Sequence, residues 1–277
     1  MKIRPGDVVL LTGASGGLGI HFVKAFAERG ARLVLAAFPG CELREQREEI
    51  EKRGCESVDM ICDLRDSAQR SQLMDLALKR FGRVDILVNN AGVEFNSYYH
   101  ELTEAKIAEV LAVNLAAPMQ LTRLVLPGML AQKRGHIINI ASLAGKSGPA
   151  FQEPYAATKA ELIAFTLSLR STYRADSVSA SAIVPGFVEA GIYARLKART
   201  GRPAPRLLGV SQPAAVIRAV LRAIEKDTPE IIVNPIPVRP MLAFTALFPR
   251  AGEWLSSKFG ANEFFRSAIE AEKRAGP

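Results

Sequence analysis

Short apolar runs recur along this chain between longer stretches of helical periodicity, and this alternation limits its fold more than any other feature. The runs occupy residues 8–11, 32–36, 57–61, 86–88, 136–140, 178–184 and 231–233. Strands that alternate with helices indicate βαβ units, which assemble into a parallel sheet covered on both faces. The sequence therefore predicts an α/β fold, a Rossmann-type doubly wound parallel sheet of about seven strands with helices on both faces.

The first run leads into a glycine-rich turn, TGASGGLG at residues 12–19, and then into a helical pattern. Glycines allow a tight turn and let backbone amides approach a pyrophosphate at the positive end of the helix. A plain loop is the alternative, and the Gly-x-x-x-Gly-x-Gly spacing differs from the GxGxxG of longer dehydrogenases. The position between first strand and first helix favours a dinucleotide phosphate site.

The second run ends where the adenosine ribose of a dinucleotide would lie. An acidic residue there binds the 2′-hydroxyl of NAD, whereas a basic one accommodates the 2′-phosphate of NADP. This chain has Ala37-Phe38-Pro39-Gly40 and therefore offers neither charge. Arg44 is near in sequence but lies in a predicted solvated helix, so the choice between NAD and NADP stays open.

Residues 142–159 carry a serine, a tyrosine and a lysine at spacings that suit hydride-transfer chemistry. Tyr155 and Lys159 lie four residues apart in a predicted helix, so they share one face. An ammonium beside a phenol favours the phenolate, which lowers the tyrosine pKa and suits it to proton transfer near neutrality. Ser142 follows the run 136–140 and emerges at the carboxyl end of a strand. The alternative is an exposed helical pair with an unrelated loop serine.

Asp63 and Leu64 follow the third strand, at a further position suited to the adenosine half of a cofactor. An aspartate there can accept a hydrogen bond from the adenine amino group. Capping a helix is the alternative role of Asp63. Ser67 or Asp66 is better placed to cap the helix that runs to Phe81.

Polar residues mark two other segments. The sequence NNAG at 89–92 follows the fourth strand, where small residues let a cofactor lie close to the backbone. Asn114 lies in the middle of a predicted helix from 104 to about 130, where asparagine is unfavourable. It either satisfies a hydrogen bond in the core or opens the helix locally to bind water, and both roles are compatible.

In order and spacing, these motifs resemble those of the short-chain dehydrogenase/reductase family over about residues 5–234. The matching residues are Thr12-Gly13-x-x-x-Gly17-x-Gly19, Asp63-Leu64, Asn89-Asn90-Ala91-Gly92, Asn114, Ser142, Tyr155-x-x-x-Lys159 and Pro185-Gly186. Each motif alone is weak, whereas the ordered set is specific. The resemblance implies an NAD- or NADP-dependent oxidoreductase that interconverts a primary or secondary alcohol and a carbonyl compound by hydride transfer.

The resemblance also implies a role for each matching residue. It makes Tyr155 the acid/base, while Ser142 holds the substrate oxygen and Lys159 lowers the tyrosine pKa and binds the nicotinamide ribose. It gives Asn114 a water-linked proton relay. The implied cofactor contacts are Gly13, Ser15, Gly17, Leu18 and Gly19 on the pyrophosphate, Asp63 and Leu64 on the adenine, Asn90, Ala91 and Gly92 near the adenosine ribose, and Pro185, Gly186 and Val188 at the nicotinamide. No metal site is predicted.

One departure from the family pattern lies just after Val188. The family often has a threonine two residues beyond this valine, where it touches the carboxamide or the phosphates. This chain has Glu189-Ala190-Gly191 instead, so that contact is lost or moved.

Two segments are expected to choose the substrate. Residues 1–234 form the predicted dinucleotide-binding catalytic domain, with a lid at about 190–210 that mixes apolar and basic residues. This lid is either a solvated basic loop or a surface that attracts an anionic substrate or lipid. Residues 235–277 form an apolar extension that packs on the domain, on a partner subunit or on a membrane surface. Similar extensions in family members that act on lipophilic compounds favour a bulky apolar substrate and a place in lipid metabolism.

Composition limits the remaining classes of function. The three cysteines lack CxxC spacing and a secretory peptide precedes none of them, which predicts reduced thiols in a cytoplasmic protein. No apolar run approaches the roughly 20 residues that span a bilayer. Only the net charge of +8 suggests nucleic acid, and no binding motif accompanies it. Family resemblance implies a homodimer or homotetramer. The alternative to an enzyme is a catalytically silent NAD(P)-binding sensor or scaffold, which a broken Ser-Tyr-Lys set would favour.

Overall fold

A computed structural model of the protein describes residues 1–257 and 260–275. The strands are β1 (Val8–Thr12), β2 (Arg32–Ala37), β3 (Ser57–Ile61), β4 (Ile86–Asn89), β5 (Gly135–Ile140), β6 (Val178–Pro185), β7 (Phe187–Val188), β8 (Val210–Ser211) and β9 (Glu230–Val233). The helices are α1 (Gly19–Ala27), α2 (Arg44–Glu51), α3 (Ser67–Phe81), α4 (Glu104–Leu111), α5 (Ala117–Ala131), α6 (Ala144–Ser147), α7 (Glu153–Tyr173), α8 (Gly191–Thr200), α9 (Pro213–Lys226), α10 (Arg239–Leu247), α11 (Pro249–Ser257) and α12 (Ala261–Ala275).

The main sheet confirms the predicted doubly wound α/β fold. Its seven parallel strands run in the order β3-β2-β1-β4-β5-β6-β9. The chain builds outward from β1 to β3, then crosses back to β4 on the other side of β1. The crevice outside the carboxyl ends of β1 and β4 is thus the switch point where such sheets bind ligands. The pair β7–β8 lies apart from this sheet and is too short to be predicted from periodicity.

Alternate residues of the central strands face two separate apolar layers. On one side of β1, Val9 and Leu11 pack with Phe22 of α1 and Val220 of α9. On the other side, Val8 and Leu10 pack with Leu73 of α3 and Leu121 of α5. Because helices cover both faces, the strands are apolar throughout rather than alternating with polar residues.

The predicted long helix around Asn114 is present but opens in the middle. A π-helical turn, Ala112–Ala116, joins α4 to α5. Such turns insert a residue into the helical ladder and often occur at functional sites. In the part of the chain that the structure describes, this helical stretch, Glu104–Ala131, is the one with the length and composition to cross a bilayer. Leu121 and Met129 are fully buried against the sheet, so core packing accounts for its apolar character.

The C-terminal helices lie against the lid. Phe264 and Phe265 of α12 are buried in a cluster with Tyr193 and Leu196 of α8. The ring of Phe187, which follows β6, lies 5.4 Å from the ring of Phe264. The lid therefore shares an apolar core with the end of the chain.

Candidate active site

The glycine-rich turn after β1 has no room for side chains. Gly13 has φ +65°, and a Cβ on it would lie 2.8 Å from Cα of Ala91. A Cβ on Gly19 would lie 1.9 Å from the carbonyl oxygen of Ala14, so the turn folds tightly onto itself. The Gly19 N–H donates to the Gly16 carbonyl oxygen at 2.8 Å, so the N–H groups that follow it at the start of α1 are those left for an anion.

Side chains at the end of β4 tie this turn to the sheet. The Thr12 hydroxyl accepts hydrogen bonds from the backbone N–H groups of Asn90 and Ala91, each at 3.1 Å. Asn90 Nδ2 donates to the carbonyl oxygens of Thr12 at 3.1 Å and Gly13 at 3.0 Å. Asn90 thus holds the turn open toward the crevice, and its own position is fixed by backbone partners.

The adenosine end of the crevice is walled by Phe38 and Leu64. Asp63, which is predicted to contact adenine, forms an ion pair with Arg65. Arg65 Nε and Nη2 donate to Asp63 Oδ2 at 3.0 and 2.7 Å. The Arg65 guanidinium lies 5.5 Å from the centre of the Phe38 ring. The contact of Asp63 with adenine stays a prediction. The structure places the Arg65 guanidinium beside Phe38, just after β2, where the sequence of that segment has no charged residue. Arg44 is exposed and pairs with Glu48, as expected for a solvated helix residue.

Ser142 and Tyr155 meet at the carboxyl end of β5. Both side chains line the cleft, and the Ser142 hydroxyl lowers the pKa of Tyr155. The Ser142 hydroxyl also accepts from the backbone N–H of Ala144 at 3.1 Å, and the Leu143 N–H donates to the Pro185 carbonyl oxygen at 2.8 Å. The short helix that follows Ser142 therefore closes over the end of β6, which fixes the hydroxyl relative to the phenol.

Lys159 and Asn114 approach the same point of the backbone. Lys159 Nζ donates to the Ile140 carbonyl oxygen at 2.9 Å and lies 5.6 Å from the centre of the Tyr155 ring. A Cβ on Gly92 would lie 3.6 Å from Lys159 Nζ and 3.4 Å from Asn114 Oδ1. Asn114 exchanges two hydrogen bonds of 2.9 Å with the backbone of Val93. The Asn114 amide therefore makes hydrogen bonds in the core, which is one of the two roles predicted from the sequence. It does so at the π-helical turn where the helix opens.

The pKa expectation for the tyrosine is wrong in direction for this structure. Burial raises the pKa of Tyr155 above its ordinary value, and the charge of Glu94 raises it further, while the hydrogen bond from Ser142 lowers it. Burial also lowers the pKa of Lys159 to about 8. The spacing of Tyr155 and Lys159 predicted that the two side chains lie together, but not that both are buried. Burial disfavours both the phenolate and the ammonium.

These groups line one continuous cleft of about 1010 Å³. The predicted residues on its wall are Gly13, Ser15, Gly17, Leu18, Leu64, Asn90, Ala91, Gly92, Ser142, Tyr155, Lys159, Pro185, Gly186 and Val188. Asp63, Gly19 and Asn114 do not line the cleft. The open glycine turn and the polar end at Lys159 suit the two halves of a dinucleotide, so the residues present fit NAD or NADP.

The rest of the cleft wall is apolar and comes from the segments after β6. Ile192 and Leu196 of the lid line this part of the cleft together with Leu242 of α10 and Phe265 of α12. Sequence reasoning missed Glu94, which lies on this wall in the loop between β4 and α4. Irregular loops carry no periodicity, so no sequence signal marked it.

A fold and crevice of this kind define a Rossmann-type oxidoreductase that uses NAD or NADP. The family model described as short chain dehydrogenase matches residues 7–200. The chain belongs to the short-chain dehydrogenase family and is an NAD(P)-dependent enzyme of that family. This sets aside the silent sensor or scaffold.

Several known proteins resemble the chain over much of its length. Ketoacyl reductase HetN of Nostoc sp. is 36% identical over 281 residues, which cover 100% of this chain and 97% of the relative. The 3-oxoacyl-[acyl-carrier-protein] reductase FabG of Vibrio cholerae is 32% identical, covering 66% of this chain and 74% of the relative. The crystal structure of a metagenomic short-chain oxidoreductase in complex with NADP has a TM-score of 0.72 and 32% identity, and covers 85% of this chain and 100% of that chain.

Proposed function

We propose that this enzyme interconverts a lipophilic alcohol and its carbonyl compound, with Tyr155 as the acid/base. The observation that carries the proposal is that Ser142, Tyr155 and Lys159 line one cleft whose outer wall is apolar. Relatives are named as ketoacyl reductases, and the keto group and acyl chain in that name support a lipophilic carbonyl substrate here.

In the direction of reduction, a nicotinamide held beside Lys159, Pro185 and Val188 would supply the hydride that the carbonyl carbon accepts. Ser142 donates a hydrogen bond to the carbonyl oxygen and orients it. Tyr155 transfers its phenolic proton to that oxygen, so the product is the neutral alcohol. Burial raises the pKa of Tyr155, which keeps it protonated before transfer but also makes it a weaker acid. Lys159, as an ammonium, stabilises the phenolate that remains.

The proposal is tested by titrating the protein with NADH and NADPH while following nicotinamide fluorescence, with and without a panel of lipophilic ketones. We expect binding of at least one cofactor and its consumption on a ketone. Tyr155→Phe should abolish turnover and leave the cofactor dissociation constant unchanged, because only the proton donor is lost. Preferential turnover of short polar alcohols would overturn the substrate class, and loss of cofactor binding in the variant would overturn the role of Tyr155.

We also propose that this enzyme is cytoplasmic and docks reversibly on anionic membranes through the outer face of α10. One side of this helix, including Leu242 and Thr245, lines the cleft. The opposite side exposes Leu247 by 74%, and Phe248 just beyond it by 57%. Arg239 begins α10 and Arg250 follows its end, while the lid carries Arg195, Lys197, Arg199, Arg202 and Arg206. Of these, Arg239, Lys197 and Arg199 pair with Glu230, Glu189 and Glu272. Apolar side chains beside cations favour an anionic bilayer, from which a lipophilic substrate enters the cleft directly.

Sedimentation with vesicles tests this docking. The protein should bind vesicles of phosphatidylcholine with phosphatidylglycerol and not those of phosphatidylcholine alone. Leu247→Glu should abolish the binding, whereas Leu78→Glu, on an exposed position of α3, should not. If Leu247→Glu instead changes the oligomeric state and the wild type binds no vesicles, the face is a subunit interface and the proposal fails.

A further inference from the structure

A carboxyl group lies on the substrate side of the cleft, and the proposed reaction does not use it. Glu94 lines the cleft together with Ser142 and Tyr155. It follows Gly92 and Val93, whose backbone contacts place it next to Lys159 and Asn114. The cleft wall carries other polar side chains, among them Glu109 and Glu253, but Glu94 is the carboxyl group in the loop directly after Gly92 and Val93.

Two buried amides hold this carboxyl group in place. Asn96 Nδ2 donates to Glu94 Oε1 at 2.6 Å, and the Gln152 side chain also lowers the pKa of Glu94. Gln152 Nε2 lies 3.3 Å from Asn96 Oδ1, so the amides are linked to each other. Asn96 is 7% exposed and Gln152 is 3% exposed. Three polar side chains from two segments thus form one site rather than a chance surface contact.

Among the residues that the structure describes, the Glu94 carboxyl group forms no ion pair. Burial raises its pKa, and Arg195 and Arg199 of the lid act on it only through their charge. The charge of Glu94 in turn acts to raise the pKa of both Tyr155 and Lys159. A carboxyl group has two oxygens and about four lone-pair positions, of which the two amides occupy only some. Taking such a group out of water costs stability unless a partner satisfies it.

We propose that Glu94 is a specificity-determining residue that accepts a hydrogen bond from a hydroxyl or N–H group on the substrate, close to its reacting carbonyl. The inference rests on the proposed function, because it assumes that the carbonyl lies at Ser142 and Tyr155. The substrate is then an amphipathic ketone. Its donor group faces Glu94, and its apolar body lies along the lid and α10.

Matched ketones test the proposal. The probes are aryl ketones with a hydroxyl group on the second carbon from the carbonyl, each paired with the isomeric methyl ether on the first carbon, which keeps the number of heavy atoms but cannot donate. We expect the wild type to prefer the hydroxyl member. A site built for a donor discriminates strongly against an analogue without it, because its buried acceptor is left unpaired.

Three variants separate specificity from stability. Glu94→Leu should lower kcat/KM for the hydroxyl ketone by roughly 10- to 100-fold, the loss expected for a hydrogen bond to a charged group, and leave the ether unchanged. Glu94→Gln keeps the shape and one acceptor, so an intermediate loss is expected. Glu161→Gln, on the exposed side of α7, serves as the control with no effect. NADPH binding should be the same in all of them.

Quenching of bound-cofactor fluorescence by each ketone gives a second readout that requires no turnover. If no ketone is reduced, the proposed function fails, while a preference for the hydroxyl member in binding still supports the role of Glu94. Equal binding of both members by the wild type overturns the inference. Equal losses for both members in Glu94→Gln, with a lower unfolding temperature, also overturn it, because Glu94 then only anchors its loop.

Discussion

Lys159 illustrates how a functional side chain costs stability. It is 4% exposed, and burial lowers its pKa from 10.5 to about 8. At pH 7 the lysine is charged in the folded and unfolded states, so folding carries the full cost of burying the ammonium. That cost disappears as pH rises from the folded pKa to the unfolded one, because the unfolded lysine also loses its proton.

We therefore expect Lys159→Met to stabilise the protein at pH 7 while greatly reducing turnover. A pKa shift of this size corresponds to a destabilisation of about 3 kcal/mol, which the variant removes. The variant also loses the hydrogen bond to Ile140, at a cost of about 1 kcal/mol, so the free energy of unfolding should rise by about 2 kcal/mol. Urea unfolding of both proteins measures the gain, which should shrink between pH 8 and pH 10.5. A variant less stable than the wild type at pH 7 would contradict this.

Gly17 lies where the phosphate turn touches the start of the lid. A Cβ on Gly17 would lie 2.1 Å from the backbone nitrogen of Gly191. We expect Gly17→Ala to push the lid away from the turn and weaken NADPH binding by roughly tenfold, about 1.4 kcal/mol. Fluorescence titration measures it. Gly128→Ala is the control, since nothing lies within 4 Å of its added carbon and alanine favours its helix. Unchanged binding in Gly17→Ala would show that the lid moves freely.

At the scale of elements, one aspartate joins the ends of α7, β6 and α9. Asp227 Oδ1 accepts from Arg170 Nη1 and from the Ser179 hydroxyl, each at 2.6 Å. Burial raises the pKa of Asp227, but the hydrogen bonds from Arg170 and Ser179 outweigh it and lower the pKa to about 2. This contribution to stability is present above the unfolded pKa of 3.8 and is lost as pH falls toward 2.

Asp227→Asn should lower the free energy of unfolding at pH 7 by about 1–2 kcal/mol, a value reduced for partial solvent screening. Asparagine tolerates the left-handed backbone at this position, φ +53°, so the effect reports on charge. Unfolding curves at several pH values should show the two proteins converge below pH 3. Glu48→Gln, from the exposed pair on α2, should change little. A difference that persists at low pH would point to lost packing instead.

At the scale of the molecule, the long helices present apolar side chains to solvent. Leu111 at the end of α4, Met119 of α5 and Leu167 of α7 are all exposed large hydrophobic residues. A homodimer or homotetramer built on these helices remains a proposal. We expect Leu167→Glu to dissociate it, as measured by sedimentation velocity, because a charge in an apolar interface is costly. Ser171→Glu, one turn further along α7 on a polar position, is the control. A monomeric wild type would contradict the proposal.

Much of the fold followed from the sequence because its signals are local. Period and turn chemistry are properties of neighbouring residues, so the positions of the seven main strands were predicted to within about two residues. The N-cap was predicted in the same way, since Asp66 accepts from the backbone N–H of Ala68 at 2.7 Å. The two-residue strands β7 and β8 carry no such signal and were missed.

The sequence by itself determined the positions of the seven main strands, the phosphate turn and the ordered set of Ser142, Tyr155 and Lys159, because local pattern and spacing along the chain specify these. The order of the strands across the sheet came from the tertiary structure. Only the tertiary structure decided the direction of the tyrosine pKa, the position of Arg65 beside the Phe38 ring and the place of Glu94 on the cleft wall. Burial and charge partners depend on residues far apart in the chain. They are set when the sheet brings those residues together, and no local pattern encodes them.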